Sequence, residues 1–294
     1  MRMHTMVARW LLMLPTIVAF CFVMQQLSAR AQDIPVAAKA EPADVIATEE
    51  SFQTFLKTLR VVHFADEFPR KYYLLEGDLL LVEEEVRALL RSKASRTGIV
   101  SSDDAELKVL TRGSQPVVWS TRDRALTYSV ARNTFATPQQ YAAVVSNMKA
   151  AALSWQDACP DCGVSIVYRP EYDDAPNKNV VTFVVAFKSS ETSFIAAAFF
   201  PYDDKIRRTL WISSLYFTTR FNSAGVLRHE IGHILGYRHE HIGGVVGCGM
   251  EGTDWKALTV YDPKSVMHYF CGGGGTTEFN LSSLDVAGHI KAYK

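Results

Sequence analysis

The chain has 294 residues, enough to bury a sizeable core, and its 31 lysines and arginines balance 31 aspartates and glutamates. A formal net charge of zero excludes the basic signature of a nucleic-acid partner and leaves the substrate unnamed.

At the amino terminus, Arg2, His4 and Arg9 precede an apolar run from Trp10 to Met24, and Ala29-Arg30-Ala31 follows. A basic region, a short apolar region and a small-x-small site are the parts of a signal peptide, and the run is too short for an ordinary membrane span. Residues 1–31 are therefore read as a signal peptide cut near Ala31, with an uncleaved anchor as the competing reading. Phe20 is too bulky for the residue before a lipid-attached Cys21. Later runs are too short or too polar to span a bilayer, so a secreted or periplasmic protein is expected.

Residues 32–50 are rich in Ala, Glu, Asp and Pro without an apolar period, as in a flexible lead-in. SFQTFLKTLRVV starts as a helix, YYLLEGDLLLV reads as two short strands around Gly77, and VEEEVRALLRSK has helical spacing. Together these form a small amino-terminal domain ending near residue 115. From Val117 the pattern changes. VVWSTRDRALTYSVA alternates like a strand, and PQQYAAVVSNMKAAALSWQDA is a long amphipathic helix with Pro138 in its first turn. VSIVYRP and NVVTFVVAF read as buried strands, and SFIAAAFFPYDDKIRRTLWISSLYF as two more. Asp203 and Asp204 are acidic enough for a Ca2+ loop but lack further spaced oxygen ligands, and a solvated turn is the other reading.

Beyond the signal region stand Cys159, Cys162, Cys248 and Cys271. An even number in an exported protein argues disulfides, with three pairings open. Cys159 with Cys162 and Cys248 with Cys271 is favoured, because the second pair would clasp the segment between the histidines and the later chain. A redox or zinc-knuckle role for Cys159-Pro-Asp-Cys162 finds no second CxxC and no thioredoxin-like context.

The densest chemistry lies in LRHEIGHILGYRHEH, Leu227 to His241. On a helix, His229 and His233 point the same way, one turn apart. Glu230 is rotated by about 100° from His229, which places it beside a metal rather than on it and leaves it free for proton transfer. Gly236 can take positive φ and stop the helix, so that the chain returns His239 as a third ligand. Three neutral imidazoles with a position left open for water are the arrangement of a catalytic zinc. Leu227, Ile231, Ile234 and Leu235 form an apolar stripe roughly opposite the histidines. Ser223 is the expected helix cap. An HxxxH pair alone reads equally well as two packed histidines. With Glu230, Gly236 and His239 in place, the metal reading is the stronger.

The stretch matches HExxHxxGxxH and resembles the metzincin clan of zinc endopeptidases. Glu240, directly after the third histidine, is similar to the astacin version, in which that glutamate holds the new amino terminus after propeptide removal; a solvated surface carboxylate is the alternative. Ser265-Val266-Met267-His268-Tyr269 looks like the metzincin Met-turn. The resemblance implies that Met267 packs under the ligands, that Tyr269 stabilises the oxyanion, and that His268 faces away. LSSLDVAGHIKAYK resembles the closing helix of matrixin-like catalytic domains, with Ser282 or Ser283 as its cap.

The fold class so implied is α+β: a metzincin-like catalytic domain at 116–294 with a twisted mixed sheet, a long backing helix, an active-site helix and a C-terminal helix. Residues 32–115 would be linker and propeptide. Glu76-Gly77-Asp78 resembles part of the astacin propeptide motif, where the aspartate takes the place meant for water, although Leu75 replaces that motif's aromatic residue. A plain hairpin turn at Gly77-Asp78 is the other reading. The expected activity is metal-dependent hydrolysis of peptide bonds, with one zinc held by His229, His233 and His239 and with Glu230 as general base. The substrate would be a protein or peptide bound in extended form along an edge strand. An exported zinc-containing binding module without turnover is the competing class.

Overall fold

The computed structural model describes residues 48–64, 71–94, 107–248 and 254–294; the signal-peptide expectation and the lead-in up to residue 47 lie outside them, while the end of the expected lead-in is ordered, with Thr48 capping a helix that begins at Glu49. These residues all fall in the second of the chain's two units, 37–294.

The central layer is a five-stranded mixed sheet. β6 (Ala125–Val130), β7 (Ser165–Tyr168), β8 (Phe183–Lys188) and β10 (Thr209–Ser213) run parallel, and the short β9 (Ala196–Ala197) closes one edge antiparallel to β10, giving the order β7-β6-β8-β10-β9. Continuous apolar runs such as Phe183 to Phe187 are the mark of strands covered on both faces. The strand expected over 117–131 is regular only from Ala125, and the edge strand is confined to Ala196–Ala197.

Helix α3 (Pro138–Ala158) backs the sheet. Thr137 caps it by accepting from Gln140 N, Pro138 fills the first turn where a missing N–H does no harm, and Val144, Met148, Ala151, Ala152 and Trp155 face the core. The site helix α4 (Ser223–Ile234) packs against α3. Its cap is Asn222, which accepts from Gly225 N, and not the expected Ser223. Helix α5 (Ser283–Tyr293) starts at a Ser282–Asp285 capping box. The disulfides are Cys159–Cys162 and Cys248–Cys271, and no described helix is long and apolar enough to cross a membrane.

The largest core is built wholly from residues at 107 and beyond. Strand β4 (Lys108–Arg112) lies ahead of residue 116, yet it pairs with β11 (Trp255–Ala257) as well as with the short β5 (Gln115–Pro116). Leu107 and Val109 sit in that large core, so this strand packs with the carboxy-terminal body of the chain.

The earlier elements are α1 (Glu49–Thr58), the meander β1 (Arg60–His63), β2 (Lys71–Leu75) and β3 (Leu79–Leu81), and α2 (Glu83–Ala94). They dock on the β9 edge. Phe64 stacks on Trp211 at 4.5 Å, Tyr72 and Leu80 cluster with Phe194 and Ala197, and Leu79 and Leu81 cluster with Leu110 and Phe200. Arg207 adds a largely buried ion pair to Glu85 at 2.6 Å.

Candidate metal centre

Leu227, Ile231, Ile234 and Leu235 are fully buried in the core, which fixes the rotation of α4 and turns His229 and His233 to the opposite side. The helix stops at Gly236, whose φ is +99°, and Gly236 N donates to His233 O. The next residues run beside β4: Leu110 N donates to Gly236 O, Arg238 N donates to Lys108 O, and Val109 bridges Tyr237. This pairing carries His239 back towards the helix.

The three rings converge through Nε2. His239 Nε2 is 3.2 Å from that of His229 and 3.2 Å from that of His233. Nitrogens bound tetrahedrally to one ion at about 2.0–2.1 Å stand about 3.3 Å apart, so the spacing suits a shared cation. The tautomers agree. Nδ1–H of His229 donates to Val266 O at 2.7 Å and that of His233 to Tyr237 O at 2.7 Å, which leaves the Nε2 lone pairs pointing inward. Burial pushes the His233 imidazole down to about 4, keeping it neutral as a ligand must be. These residues could hold a metal ion.

The expected open corner is filled. Asp78 Oδ2 lies 3.1 Å from His229 Nε2, 3.2 Å from His239 Nε2 and 3.6 Å from His233 Nε2, making a fourth ligand atom. Glu76-Gly77-Asp78 is the turn of the β2–β3 hairpin, with Glu76 at φ +59° and Gly77 at φ +94°, and Asp78 stands among the three histidines. Leu79 bridges Ala198 in parallel, so this segment occupies the sheet edge where an extended substrate is expected.

Glu230 is buried, and its Oε2 has no hydrogen-bond partner among the described residues. Burial and the charge of Asp78 hold its carboxyl well above the usual range. Burial would raise Asp78 too, but its closeness to the His239, His233 and His229 rings holds it well below the usual carboxylate range. The two carboxyls are thus pushed in opposite directions.

Met267 is fully buried beneath α4, packed so closely that a Cβ on Gly232 would stand 2.3 Å from its Sδ. Two hydrogen bonds to Asp285 hold this turn: Ser265 Oγ and Val266 N donate to its two oxygens at 2.6 and 2.8 Å. The capping box reveals where Asp285 stands, but its second use is not visible in sequence. The Tyr269 ring is tilted against that of His239, 4.3 Å between ring centres, and its hydroxyl donates to Asp78 Oδ2. His268 lies between the Tyr261 hydroxyl and Tyr269 O.

Glu240 is buried, not a solvated surface group. Its Oε1 accepts from Asp262 N, burial pushes its carboxyl up to about 8, and Lys108 Nζ donates to its backbone oxygen at 2.6 Å. Asp203 accepts from Phe200 N and pairs with Arg207 at 2.9 Å, so it serves the fold of its own turn. His241, His268 and Cys271 also cluster, but Cys271 is committed to its disulfide.

No family model and no curated protein matches the chain. Among solved structures, the fold is similar to one described as the structure of myroilysin, with a TM-score of 0.42 and 16% identity, covering 63% of this chain and 98% of that one. It is also similar to metalloproteinase-II from Bacteroides fragilis, with a TM-score of 0.32 and 8% identity, covering 80% and 75%. Neither likeness is close enough to bear on the chemistry of the site.

Proposed function

We propose that the chain is an exported zinc endopeptidase made as a precursor, its cleft held shut by its own β2–β3 hairpin. The convergence of three imidazole Nε2 atoms beside the buried carboxyl of Glu230 carries this reading. Three neutral nitrogen donors suit zinc, which when bound lowers the pKa of a coordinated water and polarises a carbonyl. His229, His233 and His239 would hold it. Two disulfides fit an oxidising compartment.

In the precursor Glu230 is buried beside the Asp78 charge, which disfavours its ionised form. Removing the hairpin takes away that charge and admits water, so both causes of the raised pKa weaken. Glu230 can then accept a proton from water and return it to the leaving amine. Tyr269, released from Asp78, can donate its hydroxyl hydrogen to the oxygen that gains charge. The β9 edge, freed of Leu79, can hold an extended peptide by main-chain hydrogen bonds.

Metal analysis coupled to chelator-sensitive cleavage of a peptide library tests this reading. Glu230→Ala should keep the metal and lose about 100- to 10,000-fold in rate. Retained activity would remove Glu230 as the base. Because Asp78 closes the fourth corner, a chain whose hairpin is never released would be a binding module without turnover. Mass spectrometry of the exported product separates the two.

A further inference from the structure

Arg238 stands immediately before the third ligand. Its Nη2 donates to Glu76 Oε1 at 2.6 Å, and the other oxygen of the same carboxylate, Oε2, takes Nδ1–H of His239 at 3.1 Å. Both donors are buried, at 1% and 0% exposure. They belong to the body that carries the ligands, whereas Glu76 belongs to the hairpin that fills the cleft. The backbone of Glu76 is left-handed, a conformation that costs a residue with a side chain about 1 kcal/mol or more and that here delivers the carboxylate to its two donors. Arg238 also lines a cavity of about 80 Å³ between the hairpin and the body, together with Leu79, Arg112, Phe200 and Tyr202.

We propose that Arg238 and Nδ1–H of His239 form a carboxylate receptor in the substrate cleft, occupied here by Glu76, and that after hairpin removal it selects peptides bearing an acidic side chain near the scissile bond. This rests on the peptidase reading and names its substrate class. A planar guanidinium beside a ring N–H matches a two-oxygen acceptor. An amide has the same shape but lacks the charge and offers only one acceptor, so a site built around both donors rejects it.

The test uses the full chain after proteolytic removal of the segment ahead of residue 107, verified by mass spectrometry. Circular dichroism and cooperative urea denaturation check that the trimmed body, whose large core is formed by residues from Leu107 onward, is folded. The probe is a labelled heptapeptide of residues 74–80, LLEGDLL, followed by fluorescence anisotropy against the same peptide carrying Glu76→Gln. The Gln peptide should bind about 10- to 100-fold more weakly, the range for a hydrogen bond to a charged partner. With Arg238→Gln the ratio should fall below about threefold, and Arg238→Lys should restore part of it. A peptide library should be cleaved with a preference for Asp and Glu that Arg238→Gln abolishes.

Equal binding of the two peptides to the unmodified protein overturns the receptor, and that comparison needs no variant to fold. Library cleavage without acidic preference overturns it as well and leaves the peptidase reading standing. Discrimination between the heptapeptides without any cleavage supports the receptor and sinks the peptidase reading instead.

Discussion

The hydroxyl of Tyr269 donates to Asp78 Oδ2, the same oxygen that stands 3.1 Å from His229 Nε2 and 3.2 Å from His239 Nε2. One carboxylate oxygen thus engages two of the three imidazoles and the phenol expected to act on the oxyanion. Asp78→Ala in the full chain removes that oxygen while leaving the hairpin's apolar contacts with Leu110 and Phe200. The intact precursor should then cleave a quenched fluorescent peptide at least about tenfold faster, on the scale of one lost charge-assisted hydrogen bond. Mass spectrometry must show the chain uncut, and an unchanged rate in that uncut chain removes Asp78 as the latch.

On the proposed reading the Tyr269 phenol has two roles, and Tyr269→Phe separates them. In the precursor it removes one donor to Asp78 and loosens the hairpin. In the processed enzyme it removes a donor to the developing oxyanion, which should lower kcat by about 100-fold with little change in KM or metal content. Steady-state kinetics on processed protein decides the matter: an unaltered kcat means that Tyr269 serves latency alone.

Gly236 carries two demands at once. Its φ is +99°, and an added Cβ would stand 2.1 Å from the backbone oxygen of Val117, which is part of the chain and cannot swing aside. Gly113 offers the control, with φ at +62° and nothing within 4 Å of its Cβ position. Gly113→Ala should cost about 1 kcal/mol from backbone strain, while Gly236→Ala adds a steric cost of about 1–3 kcal/mol. Metal affinity should fall only in the second, because Gly236 aims His239. Equal losses in thermal denaturation would mean that the contact with Val117 relaxes freely.

How much of this is legible in the sequence depends on the range of the forces involved. His229, His233 and Gly236 obey helix periodicity and glycine's φ freedom, which act between near neighbours in the chain. Pro138–Ala158 shows its cap, its proline and its buried face locally and appears where its pattern places it. The cap of α4 is less legible, since Asn222 and Ser223 are both good caps and only the path of the chain chooses between them. Asp78 and Glu76 lie 161 and 162 residues from the partners they meet at His239 and Arg238, and a hairpin turn with an acidic residue is equally consistent with plain solvent exposure. Strand β4 is hidden for the same reason: its partners, Tyr237 and β11, lie far along the chain.

A buried imidazole outside the ligand set should make the fold acid-sensitive. His289 is fully buried on α5, with Nδ1 2.8 Å from the Tyr237 hydroxyl and its ring 5.2 Å from Trp155 and 5.1 Å from Tyr293. Burial pushes it from 6.5 down to about 4. Between those values the unfolded chain takes up a proton that the folded chain refuses, so stability is constant above about 6.5 and declines as pH falls towards 4. At 1.36 kcal/mol per unit the loss is on the order of 3 kcal/mol. His289→Gln keeps a hydrogen-bonding group for Tyr237 and abolishes the titration, so urea denaturation at pH 7, 6, 5 and 4.5 should show a shallower decline than in the parent chain. Because the Tyr237 carbonyl accepts Nδ1–H of His233, the same acid step should loosen a ligand. Parallel stability curves for the two proteins would show that His289 is protonated without unfolding and plays no part in acid lability.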